Sequence, residues 1–424
     1  MKRVILIASI LLLPLDAMAA RTLTLEDALA VALEKNRDIA RAAEYGRYVN
    51  GKYLEERAAA LPQLALSGSM TASRDNGMPA FAGGGTNQYD KFLGVSMSQP
   101  VYTWGKLGAA IRAAEIGMNT AKEQLRLTQQ AVRRDVTAGF YNILLSKELL
   151  KLATENRLQK ERHAAETKRR LDAGVVTDYD LLAAEVALQN ATPAVIKAEN
   201  SLKTARERLK FLLAIDEDFD AVGTLEPSIA PLPGYDDLLK SALAKRPELI
   251  DLGYRVGIYG ELVKIASADD KPRLDLKAGA GWHQADMMNS RNDGTAWNVG
   301  LHLTFPFFDG MRTSGRVEQA RSDLNTKEIE RKKLVDNIRL EARTALNELQ
   351  EAGEILSAVS GTVTQAKRLL EMAEKGYEFG VKIRLEVDDA QTNLLQAQIN
   401  RAKAASDYLV ARVNLEWVMG VLGE

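Results

Sequence analysis

Pro272–Trp282 reads PRLDLKAGAGW, and its reading decides the fold. Leu274, Leu276, Ala278, Ala280 and Trp282 alternate with Arg273, Asp275, Lys277, Gly279 and Gly281. Period-two alternation sends the apolar side chains out of one face of a strand and the charges out of the other. The apolar face needs an apolar partner and the charged face needs water. A half-buried strand in a soluble sheet is one solution. A transmembrane β-barrel strand, with lipid outside and an aqueous lumen inside, is the other. The flanking sequence is long, polar and helical, with no globular core to cover a sheet, and it favours the barrel.

Three more strands follow the same rule. In the first, Leu64, Leu66, Met70 and Ala72 oppose Gln63, Ser67, Ser69 and Thr71. In the second, Leu93, Val95, Met97 and Val101 oppose Gly94, Ser96 and Ser98. In the last, Trp297, Val299, Leu301, Leu303, Phe305 and Phe307 oppose Asn298, Gly300, His302 and Thr304. Polar loops join them in pairs, over Arg74–Tyr89 with Gly83-Gly84-Gly85 and over Met287–Thr295. Tyr89, Phe92, Tyr102, Trp104, Trp282, Trp297, Phe307 and Phe308 gather near strand ends, which fits interfacial aromatic girdles.

The totals exclude several functions. In 424 residues, 56 Lys and Arg meet 57 Asp and Glu, so no basic field points to nucleic acid. Cys is absent, which removes disulfides, thiolate metal sites and a Cys nucleophile. His163, His283 and His302 are too scattered to suggest a metal cluster. Residues 1–19 read as a signal peptide: Lys2 and Arg3, an apolar run from Val4 to Leu15, and Ala17-Met18-Ala19 as the cleavage motif. The mature chain is expected to begin at Ala20. A retained anchor helix fits less well, because the run is short and Pro14 interrupts it.

The chain then repeats itself. Leu33, Lys35, Asp38 and Pro62 match Leu243, Lys245, Glu248 and Pro272 at one constant offset, and Gly174-Val175 and Leu209 match Gly380-Val381 and Leu415. A duplication of about 200 residues explains this order. The first repeat spans 20–214: an opening helix, with a break near Asn36-Arg37, a hairpin 62–73/90–102, a long helix 105–172 and a return helix 178–213. The second spans 235–424, with a hairpin 272–284/296–308, a long helix 313–379 and a return helix 384–420. Residues 215–234, with Pro227, Pro231 and Pro233, form a linker holding a short strand or a helix.

Each long helix would be about 100 Å long at 1.5 Å per residue. From Ile338 to Tyr377 apolar and small residues recur in steps of four and three, a narrow coiled-coil seam rich in Ala. The return helices carry the same seam from Ala184 to Leu212 and from Ala390 to Val418, and Pro193 should bend the first of them. Four strands cannot close a barrel, and open edges are not tolerated in lipid. Protomers must therefore share one. Two copies would give eight strands and a filled interior; three would give twelve and, with Gly, Ser and charges inside, a channel.

In this order, twice over, these segments resemble the TolC-like outer membrane efflux proteins. The resemblance rests on LTLEDALAVALEKN, on the strand starts LPQLALSGS and KPRLDLKAGAGW, and on the strand ends SQPVYTWGK and TFPFFDGMR. It rests also on the turns DAGVVTDYDLLAAEVAL and YEFGVKIRLEVDDAQTNLLQA. It implies an α+β membrane protein, a homotrimer whose 12-stranded barrel in the outer membrane of a Gram-negative-type cell continues into a periplasmic α-helical barrel. It implies a passive gated exit duct for an inner-membrane pump, reached through a periplasmic adaptor, or for type I secretion. A periplasmic coiled-coil structural protein is the rival reading.

No catalytic constellation stands out, and no cofactor or metal is expected. The turns Asp172–Asp180 and Phe379–Asp389 should lie at the periplasmic tip. Gly174 and Gly380 suit the left-handed position that ends a helix, and Asp178 and Asp180 favour the next helix start. These turns, with Val175 and Val381, are the expected adaptor contact. By resemblance, Glu386 and Asp389 match an acidic ring at the pore mouth, and Tyr377, Lys382 and Asp180 match positions that hold neighbouring helix pairs closed. Lys382 stands where Arg is common, which loses the bidentate fork. Arg273, Asp275 and Lys277, with His283 and His302, should face a watery lumen.

Overall fold

The computed structural model describes residues 21–74, 76–77, 85, 87–287 and 290–423. The expected signal peptide, the mature start at Ala20 and Gly83-Gly84 of the first loop lie outside them. In chain order the elements are β1 (Arg21–Leu23), α1 (Leu25–Lys35), α2 (Arg37–Ala58), β2 (Gln63–Arg74), β3 (Asn87–Tyr102), α3 (Lys106–Asp172) and α4 (Asp178–Leu213). There follow β4 (Phe219–Ala221), α5 (Tyr235–Lys245), α6 (Pro247–Ser267), β5 (Arg273–Met287), β6 (Ser290–Thr304), α7 (Arg312–Glu378) and α8 (Arg384–Val418). The chain divides into two compact units, one of Met1–Ile39, Gln129–Leu238 and Ala342–Glu424, the other of Ala40–Thr128 and Leu239–Glu341.

Within the first unit, Thr24 caps α1 in a reciprocal box with Asp27. Asn36 ends α1 and starts α2: its Oδ1 accepts from Asp38 N at 2.8 Å while its Nδ2 donates to Leu212 O at 2.8 Å. The seam residues Ala342, Ala345, Leu349 and Leu356 on α7 bury against Ala404, Tyr408, Ala411 and Leu415 on α8. Small side chains let helices approach closely, which is why a seam so rich in Ala can still form a core. The linker contains a strand, β4, paired in parallel with β1. Lys147 holds it, donating to Ala221 O at 2.6 Å and pairing with Asp220.

The second unit carries one antiparallel sheet of order β2-β3-β5-β6, so β2 and β6 are its edges. Directly paired residues share a face. Leu66, Val95, Ala280 and Trp297 form one row of the apolar face, and Leu64, Met97, Ala278 and Val299 the next. Nothing among the described residues covers this face: Leu66 is 73% exposed, Trp297 79% and Val299 64%. Every residue of β2 is exposed, on both faces.

Three details differ from the sequence expectation. Arg74, Asn87–Tyr89 and residues 290–295, expected in loops, are strand, the first two stretches pairing within β2 and β3 and the last with Trp282–Met287; polar residues extend a ladder as well as apolar ones. At the other end β6 stops at Thr304, since Pro306 has no N–H for a ladder. A bulge between Pro100 and Tyr102 shifts the phase of β3, so Tyr102, not Val101, pairs with Leu274 of the apolar face.

Candidate functional site

The α3–α4 and α7–α8 turns are built alike. Gly174 and Gly380 both have φ +72°, in the left-handed region that glycine enters freely. Val175 N donates to Arg170 O at 2.9 Å, and Val381 N to Gly376 O at 2.8 Å, the six-to-one bond of a Schellman end. Beyond each glycine the chain exposes apolar side chains: Val175 and Tyr179 after the first, Val381 and Ile383 after the second.

The restart of α4 belongs to a residue that sequence reasoning missed. Thr177 is the N-cap, and Asp180 Oδ2 accepts from Thr177 N at 2.9 Å and from Thr177 Oγ1 at 2.7 Å. The Thr177 backbone N–H, then its hydroxyl, hold the Asp180 carboxyl below the usual carboxylate range. Within the chain Asp180 thus caps its own helix. The signal was present as T-x-x-D, a capping box.

Lys382 and Glu386, expected in separate roles as latch and ring, meet in one turn. The Lys382 ammonium bonds the Glu386 carboxylate, whose other oxygen accepts from Ile383 N at 3.1 Å. Lys382, then the Ile383 N–H, depress the Glu386 pKa. Gly376 makes room, since a Cβ there would strike the Lys382 stem. Asp389 is exposed three residues on. Pairing with Lys382 therefore lowers the net negative charge that Glu386 and Asp389 present.

Tyr377 and Asp180 line a cavity of about 220 Å³ with His163, Arg170, Arg384 and Asp388; Lys382 does not. Tyr377 Oη accepts from Arg170 Nη1 at 3.1 Å, and the Arg384 guanidinium lies 5.8 Å from the Tyr377 ring centre. Asp388 pairs with Lys160 at 3.0 Å and with Arg384 at 3.3 Å. Burial, then the nearby Arg384 charge, disfavours protonation of His163. The spacing of Arg384 and Asp388 could have been read as a helical pair; the partnership of Lys160 with a residue far along the chain could not.

Burial raises the Asp388 pKa, but Lys160 and Arg384 override it and hold it below the usual value. A depressed carboxylate adds stability that is present above its unfolded pKa and is lost as pH falls through the folded pKa. Asp388 is about a third exposed, so screening limits the effect of Lys160→Met to about 1 kcal/mol at pH 7. Hydrogen exchange in the first turns of α8 should show that loss at neutral pH and none in acid.

In the sheet, Arg273, Asp275, Lys277 and His283 share one face, and Asp275 pairs across with His302. Arg273 and Lys277 are exposed. Asp275, expected in water, is only 8% exposed: β5 is an inner strand, and Arg273 Nε bonds its carboxylate at 2.9 Å. Phe92, expected in a girdle, lies on this polar face opposite Ser69 and His283. Its ring rests over Gly94 and Gly281, where a Cβ would collide with it. Among the described residues no group of His, Asp and Glu could hold a metal ion, and no helix is long and apolar enough to cross a membrane.

The chain carries a sheet with one apolar and one polar face and, in the other unit, long helices with Ala-rich seams, and comparison with known proteins gives the class. The family model described as "Outer membrane efflux protein" matches residues 28–214 and 238–421. The chain belongs to this outer membrane efflux protein family. It is 24% identical over 385 residues to the outer membrane protein TolC of Vibrio cholerae, covering 87% of this chain and 84% of that one. It is 27% identical over 411 residues to the cobalt-zinc-cadmium resistance protein CzcC of Cupriavidus metallidurans, covering 95% and 91%. The crystal structure of the Campylobacter jejuni CmeC outer membrane channel superposes with a TM-score of 0.84 at 18% identity, covering 94% of this chain and 85% of that one. The chain is accordingly an outer membrane efflux channel protein, and its family consists of channels rather than enzymes.

Proposed function

We propose that three copies of this chain share one 12-stranded barrel in the outer membrane and form the exit duct of a tripartite efflux or type I secretion system. One observation carries the reading: the sheet has two edges, β2 and β6, and an apolar face that nothing among the described residues covers. In hydrocarbon an unpaired edge strands backbone donors and acceptors at several kcal/mol each, so β6 of one copy must pair with β2 of the next. Three copies rather than two suit an inward face rich in Gly, Ser and charge, because an eight-stranded barrel has its interior filled. The two matched segments and the repeated run of helices, hairpin, long helix and return helix support an origin by duplication.

The native chain has no Cys, which makes the seam testable. Ser69→Cys on β2, combined in turn with replacements to Cys at 298, 300, 302 and 304 on β6, should yield a disulfide-linked trimer for at least one pair. Dimers alone, or no cross-link in any pair, would remove the shared barrel.

The two helix turns form the periplasmic mouth in this reading. Val175, Gly174, Val381 and Gly380 offer the periplasmic adaptor an apolar surface, while Glu386 and Asp389 set an acidic ring that concentrates cations. Tyr377, with Arg170, and the Thr177–Asp180 cap stiffen the turns, and the inner-membrane pump supplies the energy through the adaptor. Glu386→Ala/Asp389→Ala should lower the cation preference of the conducting channel in planar bilayers. Because Lys382 offsets Glu386, Asp389→Ala alone should account for most of that loss. An unchanged reversal potential in a salt gradient would dispose of the ring.

A further inference from the structure

We propose that Arg74, Lys91 and Arg291 form an outward rim that docks the phosphorylated head groups of outer-leaflet glycolipid. The proposal rests on the reading of the sheet as a membrane wall. It uses side chains that neither the lumen nor the helix turns employ.

The rim follows from register. Rows from Leu274–Leu303 to the row of Leu93, Trp282 and Thr295 make up the apolar outward face. That stretch rises about 26 Å along the strand, or about 20 Å once tilted, close to the apolar band of known barrels. The next outward row, away from the helices, is Met70, Lys91, Gln284 and Asp293. The row after that is Ala72, Tyr89, Asp286 and Arg291, and Arg74 extends the same face of β2. The outer surface therefore turns from apolar to charged within one row, just past Trp282.

The charges there are not consumed by one another. Lys91 is half-buried, with no hydrogen-bond or ionic partner among the described residues. Arg74 is exposed and, among the described residues, bonds only a neutral group, Asn76 Oδ1, at 3.1 Å. Arg291 is exposed and donates to Gln284 Oε1 at 3.0 Å, while the Gln284 amide donates to Asp286 at 3.2 Å. Asp286 thus takes a neutral donor and leaves the guanidinium free to face outward. Three cations stand against two carboxylates, Asp286 and Asp293. Asp90, beside Lys91 in sequence, points to the opposite, lumenal face.

An ammonium one row above a Leu–Trp belt sits where long basic side chains reach from apolar surface to head groups. The outer leaflet at that depth consists of acylated sugars bearing phosphates. Guanidinium groups engage phosphate oxygens in bidentate pairs, and Lys supplies a point charge between them. In the shared barrel β6 and β2 of successive copies adjoin, so Arg291 and Arg74 border the same seam, where a bridging dianion would relieve their repulsion.

The test is native mass spectrometry of the full-length assembled protein with lipid A carrying two phosphates, lipid A carrying one, phosphatidylglycerol, and inorganic phosphate. Bis-phosphorylated lipid A should be retained best, and inorganic phosphate alone should not be. Arg74→Gln/Lys91→Gln/Arg291→Gln should weaken retention about tenfold, and Lys91→Gln alone about threefold. Lys277→Gln, removing a charge from the opposite face, should leave lipid retention unchanged. Single-channel conductance of the triple variant should match wild type, which separates this proposal from the membrane reading beneath it. Equal lipid retention by the triple variant and wild type, or equal retention of all lipids whatever their phosphates, overturns the rim. Loss of conductance together with trimer assembly in wild type would instead indict the barrel.

Discussion

Val299→Arg is expected to cost about 2–4 kcal/mol per chain in the membrane and to abolish the detergent-resistant assembly. Asn298→Arg, one residue earlier, should leave assembly intact. Val299 stands on the apolar face in the row of Leu64, Met97 and Ala278, close to the middle of the apolar band, and nothing among the described residues shelters it. A guanidinium there must be dehydrated or drag water into the hydrocarbon. Asn298 belongs to the opposite face, where its side chain lies over Gly279 and an arginine would meet water. Heat-modifiable mobility on gels and outer-membrane fractionation read the contrast directly. Equal behaviour of the two variants would mean that the sheet does not separate lipid from water.

Tyr408→Ala should be the most damaging change within the helices. Tyr408 is 2% exposed and packs among Leu349, Leu356, Ala404 and Leu415. A Cβ at Gly353 would lie 3.5 Å from its ring, an ordinary contact, so the ring packs against the α7 backbone at that glycine. Removing an aromatic side chain from such a site costs about 3–5 kcal/mol. Tyr408 also anchors the extended linker, because its Oη accepts from Ala230 N at 3.2 Å. Tyr408→Phe keeps the packing and loses only that bond, about 1 kcal/mol. It should therefore leave the melting temperature nearly unchanged while making the linker near Ala230 more open to protease. A melting temperature for Tyr408→Ala equal to that of Tyr408→Phe would show that the seam tolerates a large void.

How much of the site was readable differs from residue to residue. The glycines of the two turns were legible because a left-handed position admits few other residues, and both have φ +72°. The capping box of Thr177 and the helical pair of Lys382 and Glu386 are equally local, four residues or fewer apart. Their spacing is legible too, although family resemblance directs the same residues to contacts elsewhere. Lys160 with Asp388 and Arg170 with Tyr377 were hidden, because the members of each pair stand more than two hundred positions apart along the chain. Phe92 shows the limit of propensity. Aromatic residues near strand ends suggest a girdle, yet one step of register sends this ring over glycines on the polar face.

By itself the sequence determined whatever depends on periodicity and on neighbours along the chain: period two in the strands, steps of three and four in the seams, glycine at the turns. Those patterns follow from backbone geometry that every residue carries with it. Only the tertiary structure decided that the two hairpins meet through β3 and β5, where the Pro100–Tyr102 bulge resets the faces, and that Arg273 covers Asp275. It alone decided that β4 pairs with β1, because hydrogen bonds between strands far apart along the chain leave no local mark in either one. The outward rim of Arg74, Lys91 and Arg291 belongs to the same class, since it exists only once the strands that carry it are aligned in register.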